Sequence, residues 1–163
     1  KAGTMRYRTG TEYVDVTGTE LITNGDFATD TSWSKQTGWT ISGGTGNCDG
    51  TGANALLFQN NIFITGKIYN INFEITSYTS GVLRLRDNGI LLPTNYTATG
   101  SYTLILTATQ TGFLGFQNYS SFIGSVDNVS VIEVTAEDAS YADMCMQTGA
   151  STYEWVNIVR NTY

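Results

Sequence analysis

The sequence predicts an all-β protein built as a β-sandwich, with a smaller β-hairpin formed by the two chain ends. Among the 163 residues are 18 Gly and one Pro, and no stretch combines a helical period with helix-forming residues. Many short segments alternate apolar and polar side chains, as half-buried strands do. Turn residues separate these segments at regular intervals, which is typical of β-sandwiches.

Composition and charge exclude several classes of function. The net charge of −6 repels phosphate, so we expect no binding to nucleic acid. The sequence shows no apolar run of membrane-spanning length and no signal peptide, so we expect no membrane insertion. The chain opens at Lys1 without Met, which predicts a fragment or a processed product. Cys48 and Cys145 lie far apart and are interpreted as isolated small apolar residues, although a disulfide between them stays open.

No constellation for catalysis is found. The sequence contains no His, which excludes imidazole bases and His metal sites. A glycosidase needs two convergent carboxylic acids. Glu74 could pair with Asp87 or Glu20, but no spacing favours either pair. The sequence therefore predicts a protein that is not an enzyme.

The first third of the chain contains short strands separated by Gly. Met5 and Tyr7 indicate a half-buried strand, which we expect Gly10 to end. Residues 20–27 predict a strand that ends in an Asn-Gly turn and pairs with residues 124–134. Trp39 then alternates with Ile41 and is expected in the core, while residues 47–50 predict a turn or loop.

The middle of the chain has the clearest strand pattern. Tyr69, Ile71, Phe73 and Ile75 alternate with polar residues, so one face is core and the other is hydrogen-bonding. The same alternation follows in three later segments, with a hairpin turn at Asp87-Asn-Gly, and a short apolar segment, residues 56–58, precedes it. We expect further strands at residues 56–58, 82–86, 102–107 and 112–117.

Residues 136–163 change in character. Segments 141–146 and 153–159 predict a hairpin with a turn at 147–152. This hairpin is too small to bury its own apolar groups, so it needs residues 3–8, other subunits, or both. We therefore predict two domains, one of residues 18–135 and one of residues 1–17 with 136–163.

Motifs at both ends of the central segment carry a resemblance to a known fold. The segments LITNGDF (21–27), GWT (38–40), GKIY (66–69) and IGSVDNVSV (123–131) resemble jelly-roll carbohydrate-binding modules of the xylanase and cellulase accessory type. They look still more like the relatives of these modules in phage structural proteins. The resemblance implies a jelly-roll β-sandwich and leaves the sugar undetermined.

The flanking segments carry a second resemblance. AGTMRYRT (2–9), SYADMCM (140–146) and YEWVNI (153–158) are similar to short β-modules of phage fibre and virion-surface proteins. In those proteins the two parts run together, which implies that the jelly roll is inserted between them here. Such modules are usually trimeric, so the resemblance implies a homotrimer, with other virion proteins as partners.

Sugar binding needs aromatic faces that stack on the pyranose ring and planar polar groups that bind its hydroxyls. Polar side chains that alternate with core positions could share one outward sheet face. The alternative is a solvated face with an Arg84–Glu74 ion pair. The candidates on this face are Asn72, Glu74, Arg84, Arg86 and Gln117. The best aromatic candidates lie in polar loop surroundings and are Trp33, Tyr96 and Tyr119.

A structural calcium ion is common in the related jelly rolls and is held by the opening segment and the closing Asp. The matching residues here are Asp26 and Asp127, with Asn24 nearby. Oxygen ligands suit this hard cation. The alternative is that these residues cap turns, and Ala28 stands where the family often has an acidic ligand.

Together these patterns predict a non-enzymatic phage protein at the virion surface or in a fibre, whose jelly roll binds glycans of the host surface or its environment. Three linked copies would raise the avidity of weak single sites. The rival interpretation is a purely structural decoration domain of a capsid or tail without a glycan ligand.

Overall fold

The structure, a computed structural model, describes residues 5–148 and 152–162. Every regular element in these residues is a β-strand, which confirms the predicted all-β class. The strands are β1 (Met5–Glu20), β2 (Ser34–Lys35), β3 (Trp39–Ser42), β4 (Thr45–Asp49), β5 (Leu56–Phe63), β6 (Ile68–Asp87), β7 (Ile90–Leu91), β8 (Gly100–Thr107), β9 (Gly112–Gln147) and β10 (Tyr153–Thr162). A search of the described residues for a helix able to cross a membrane found none.

The chain divides into two compact units. The central unit comprises residues 17–134, and the flanking unit comprises residues 1–16 with 135–163. In the flanking unit, the end of β9 pairs with β10 in an antiparallel hairpin, from Gln147 opposite Tyr153 to Ala139 opposite Thr162. This confirms the predicted hairpin, whose turn lies partly outside the described residues.

The central unit is a sandwich of two layers, because β6 and β9 each bend and contribute to both. In the first layer, residues 68–75 of β6 lie between β8 and residues 126–134 of β9. In the second layer, the end of β6 lies between β7 and residues 114–120 of β9, followed by β5 and β2. A Cβ at Gly81 would lie 2.2 Å from the carbonyl oxygen of Ser121, so the bend needs glycine there.

The hydrophobic core lies between the two layers. Ile71, Phe73 and Ile75 enter it from the first layer, and Leu83 enters it from the second. The rings of Phe73 and Phe116 meet edge to face with centroids 5.3 Å apart and so join the layers. Each such side chain contributes roughly 1.5–3 kcal/mol by leaving water. The polar positions between them therefore point outward, to opposite sides of the sandwich.

The predicted strand at residues 20–27 is wrong beyond Glu20. Asn24 and Phe27 have φ angles of 57° and 49°, which an extended ladder does not accept. The segment still runs beside β9, because the Val129 amide donates to the carbonyl oxygen of Gly25 at 2.9 Å. A Cβ at Gly25 would lie 2.0 Å from the Val129 carbonyl oxygen, so this close approach requires glycine.

Two further expectations about turns are wrong. β1 continues through Gly10 instead of ending there. Residues 47–49, predicted as a turn or loop, belong to β4, where Asn47 pairs with Thr40 on one side and Ser125 on the other. Sheet pairing on both sides outweighs the turn preference of an Asn-Cys-Asp-Gly sequence.

Candidate functional site

The predicted polar face is divided between the two layers. Asn72 and Glu74 point outward from the first layer, whereas Arg84 and Arg86 point outward from the second. The bend of β6 puts these two pairs on opposite sides of the sandwich. The prediction that they share one sheet face is therefore wrong, and so is the alternative Arg84–Glu74 ion pair.

Gln117 was expected to face solvent and is instead fully buried. Its side chain accepts a hydrogen bond from Arg86 Nε at 3.0 Å and donates one to Asn54 Oδ1 at 2.9 Å. Both polar ends of the amide are satisfied, so its burial costs little. Gln117 supports the residues above it and is not itself open to a ligand.

Trp33 and Tyr96 were expected as exposed stacking platforms, and both are buried. The Trp33 indole donates to the carbonyl oxygen of Asn24 at 3.0 Å, and its ring lies 5.1 Å from that of Phe27. The Tyr96 ring lies 5.0 Å from that of Phe73, and burial raises the pKa of Tyr96. Neither ring offers a free face. The predicted core position of Trp39 is confirmed, with 4% exposure.

The outer side of the second layer brings guanidinium groups and aromatic rings together. Strand pairing aligns Arg84 with Gln117 in one row, and Arg86 with Gly115 and Phe58 in the next. We call this surface the arginine face. Its members are Arg84 and Arg86 of β6, Phe113, Gln117 and Tyr119 of β9, and Phe58 of β5.

Arg84 is held in place by two contacts. Its guanidinium lies 3.9 Å above the ring centroid of Tyr119, and its Nε donates to Asn95 Oδ1 at 2.6 Å. Tyr119 is 41% exposed, and the Arg84 guanidinium covers one face of its ring. A cation over a tyrosine ring contributes roughly 0.5–1 kcal/mol at such an exposed site. The Arg84 fork is therefore oriented before any ligand arrives.

Arg86 is fixed in a similar way. Besides the bond from Nε to Gln117, its Nη1 donates to the carbonyl oxygen of Gly89 at 2.8 Å. Two fixed acceptors hold the planar guanidinium in one orientation. Both arginines thus present their remaining nitrogens from a rigid strand.

Sequence reasoning did not identify Phe58 and Phe113 as site residues. Both are half-buried on the outer side of the second layer, with ring centroids 5.1 Å apart. A Cβ at Gly115 would lie 3.0 Å from the Phe113 ring, so glycine permits this close packing. The sequence does contain a signal for these positions, because Phe58 follows the core residue Leu57 and Phe113 precedes the core residue Leu114.

The outer side of the first layer contains a shallow recess of about 320 Å³. Its polar side chains bond mainly to one another. Thr103 Oγ1 donates to Asn72 Oδ1 at 2.7 Å, and Asn128 Nδ2 donates to Glu74 Oε2 at 3.0 Å. The recess is lined by Asn72, Phe73, Glu74, Ser101, Tyr102, Thr103 and Asn128. Asn72 and Glu74 thus belong to a separate surface from the arginines.

The predicted calcium donors mostly cap turns. Asn24 Oδ1 accepts from the Thr29 amide, Asp26 Oδ1 accepts from the Ala28 amide, and Asp127 Oδ1 accepts from the Asn128 amide. Among the described residues, no group of three or more acidic or Cys side chains could hold a metal. The donor set fits turn capping better than a calcium cage. Calcium stays a prediction, which a titration followed by thermal unfolding would check.

No protein-family model matches the chain, and no curated protein matches it. One solved structure to which it is similar is described as "Structure of CBM35 from Paenibacillus barcinonensis". That likeness has 16% sequence identity and a TM-score of 0.43, and it covers 75% of this chain and 97% of the other. A likeness this low transfers no ligand or site to the present chain.

Proposed function

We propose that the central unit is a non-catalytic glycan-binding module, carried by the flanking unit on a phage fibre or virion surface. The observation that supports it is the arginine face, where two oriented guanidinium groups lie on one side of the sheet and Arg84 stacks on the exposed ring of Tyr119. Sugars are bound by apolar contact with ring C–H groups and by hydrogen bonds from planar polar side chains. The sequence resemblances supply the phage context.

The order within the arginine face supports binding without large rearrangement. Arg84 and Arg86 are already tied to Asn95, Gln117 and Gly89, so a ligand need not freeze two long side chains. Such freezing costs about 0.5–1.5 kcal/mol for each side chain. A shallow, open surface of this kind suits the side of a polysaccharide chain. Single-site binding there is weak, and linked copies strengthen it.

The flanking unit supports the proposal of a homotrimer. Its described apolar residues are largely exposed, although β1 and β10 both pair with β9. Exposed apolar surface of this density usually marks an interface. These residues are Met5, Tyr7, Tyr13, Val16, Met146, Tyr153, Trp155 and Val156. Three copies around an axis would cover them, and other virion proteins are the further partners in this proposal.

A glycan-array screen of the intact protein tests the function, with the double variant Arg84→Ala, Arg86→Ala beside it. We expect specific binding by the wild type and its loss in the variant. The matched control is Lys67→Ala, which removes an exposed cation that is paired with Glu133. Binding that survives in the double variant would move the site away from the arginine face. Absence of binding to every glycan would refute the proposed function.

The rival proposal, a structural decoration domain without a glycan ligand, also has an observation in its favour. Trp33 and Tyr96 are buried, which leaves Tyr119 as the exposed ring among the predicted platforms. On the outer side of the first layer, the polar side chains hydrogen-bond mainly to one another. A wild-type protein that binds no glycan but raises the thermal stability of its particle would favour this rival.

A further inference from the structure

The central unit contains four cationic side chains, and they fall into two classes. Lys35 forms an ion pair with Asp30, and Lys67 forms one with Glu133 at 2.8 Å. In the part of the chain that the structure describes, the polar and ring contacts of Arg84 and Arg86 are instead all to neutral groups: amide oxygens, a backbone carbonyl and an aromatic ring. In a chain of net charge −6, these two cations of one face thus have no carboxylate partner among the described residues.

Both arginines keep guanidinium nitrogens that are available to a ligand. Arg84 uses Nε for Asn95, so Nη1 and Nη2 have no hydrogen-bond partner among the described residues. Arg86 uses Nε for Gln117 and Nη1 for Gly89, so its Nη2 also has no hydrogen-bond partner among the described residues. The two residues are at positions i and i+2 of one strand, so their Cα atoms lie about 7 Å apart on the same side. That spacing is within the span of one or two sugar rings.

We propose that the arginine face selects an acidic sugar residue, one that carries a carboxylate or a sulfate ester, over its neutral counterpart. This inference rests on the proposed glycan-binding function and names the ligand class of the same site. A planar guanidinium with free terminal nitrogens matches the two oxygens of a carboxylate or sulfate. The neutral supports of Arg84 and Arg86 orient these groups without neutralising them.

The aromatic members of the face complement this selection. Phe58 lies in the same row as Arg86, two strands away across Gly115, and its ring packs against Phe113, so the two rings can contact the C–H side of the same sugar. The Tyr119 ring lies under the Arg84 guanidinium and holds this charged group above the sheet. The acidic group and the apolar side of a uronic or sulfated sugar thus each meet a suitable partner. A neutral sugar can accept hydrogen bonds through its hydroxyl oxygens, but it offers these guanidinium groups no negative charge and no pair of carboxylate or sulfate oxygens.

The experiment compares matched ligands on the intact protein by isothermal titration calorimetry. One pair is an oligogalacturonate and the oligogalactan obtained by reducing its carboxyl groups. The second pair is a sulfated galactan oligosaccharide and its desulfated form, which separates the two sources of negative charge. We expect at least tenfold tighter binding of the acidic member in one pair or both. This preference should weaken as salt is raised from 50 to 500 mM.

Two variants assign the preference to the arginine face. Arg84→Gln keeps a planar hydrogen-bonding side chain but removes the charge, and Arg84→Lys keeps the charge but removes the fork. We expect Arg84→Gln to lose the acidic preference about tenfold and Arg84→Lys to retain part of it. Lys67→Gln, the control, should leave the preference unchanged. Thermal unfolding of each variant verifies that it is folded.

The remaining outcomes separate this inference from the proposed function. Equal affinity for both members of each pair would overturn the acidic-sugar inference and leave glycan binding intact. An acidic preference that Arg84→Gln does not alter would overturn its assignment to this face. Absence of binding to any of the four ligands and to the array would overturn the proposed function and this inference together.

Discussion

The two units of this chain differ in where they put their apolar side chains. In the central unit, Leu57, Phe116 and Phe122 have no exposed surface. In the flanking unit, Tyr7 is 79% exposed and Trp155 is 42% exposed. The difference follows from architecture, because two layers enclose the core of the central unit, whereas β1, the end of β9 and β10 leave most described apolar side chains of the flanking unit exposed. We therefore expect the central unit to fold alone, and the proposed trimer would give the flanking unit the core that its described residues lack.

The flanking unit is nevertheless locally ordered by a polar contact. Arg6 Nε donates to Asp143 Oδ2 at 2.8 Å, and the Arg6 guanidinium lies 4.4 Å from the ring centroid of Trp155. Asp143 is only 1% exposed. We expect this ion pair to add little net stability, because desolvation of the carboxylate offsets much of the attraction. The large apolar side chains of this unit, such as Tyr7 and Trp155, nevertheless stay exposed to solvent.

Removing the flanking unit gives the largest expected effect. A chain of residues 17–134 should be a folded monomer, while the intact protein should be a trimer. The reason is that the exposed apolar groups lie mainly on the removed segments. Light scattering with size-exclusion chromatography measures the mass, and circular dichroism checks the fold. A shortened chain that stays trimeric would contradict the assignment of assembly to the flanking unit.

Phe116→Ala should cause the largest loss of stability in the central unit. Its ring is fully buried against Phe73 and Trp33, so its removal leaves a cavity between the layers. Such substitutions cost about 3–5 kcal/mol of unfolding free energy. Chemical denaturation measures this loss. Tyr7→Ala, an exposed site in the flanking unit, is the matched comparison and should change the unfolding of the central unit little.

Asp87→Ala tests whether polar contacts also stabilise the central unit. One carboxylate oxygen accepts hydrogen bonds from both the amide and the hydroxyl of Thr109, each at 2.6 Å. Asp87 is fully buried, so its loss leaves the Thr109 amide without its acceptor. We expect a loss of about 1–3 kcal/mol in denaturation. Thr109→Val keeps the amide bond and should cost less, whereas an equal cost would assign the effect to the hydroxyl.

How far the sequence predicts this molecule depends on the range of the contacts involved. Strict alternation at residues 68–75 predicts both the strand and its buried side, because strand periodicity is local. The burial of Gln117 depends on Asn54, which is 63 residues earlier in the chain. Tyr96 is buried because its backbone bonds to that of Leu83 in both directions. Such long-range contacts, and the bend of β6 that divides the polar face, leave no local pattern.

Asp127→Asn gives the smallest expected effect, and its sign depends on pH. Burial, followed by the nearby charges of Glu74 and Asp26, raises the pKa of Asp127 above its usual value of 3.8. The folded protein therefore keeps the proton to higher pH than the unfolded chain does. The stability contributed by this group falls as pH rises from 3.8 through the folded-state pKa. At neutral pH the charged side chain is a net cost to folding.

The Asn side chain removes this charge and still accepts a hydrogen bond from the Asn128 amide, as Asp127 Oδ1 does at 2.7 Å. We expect Asp127→Asn to raise the melting temperature slightly at pH 7, with the gain disappearing below the usual Asp pKa. Differential scanning calorimetry at both pH values measures it. Asp15→Asn, at an exposed position of the flanking unit, should show no such gain. A gain that persists in acid would mean that the variant acts through packing, and a loss at pH 7 would mean that the Asp127 carboxylate has a stabilising partner, such as the predicted calcium ion.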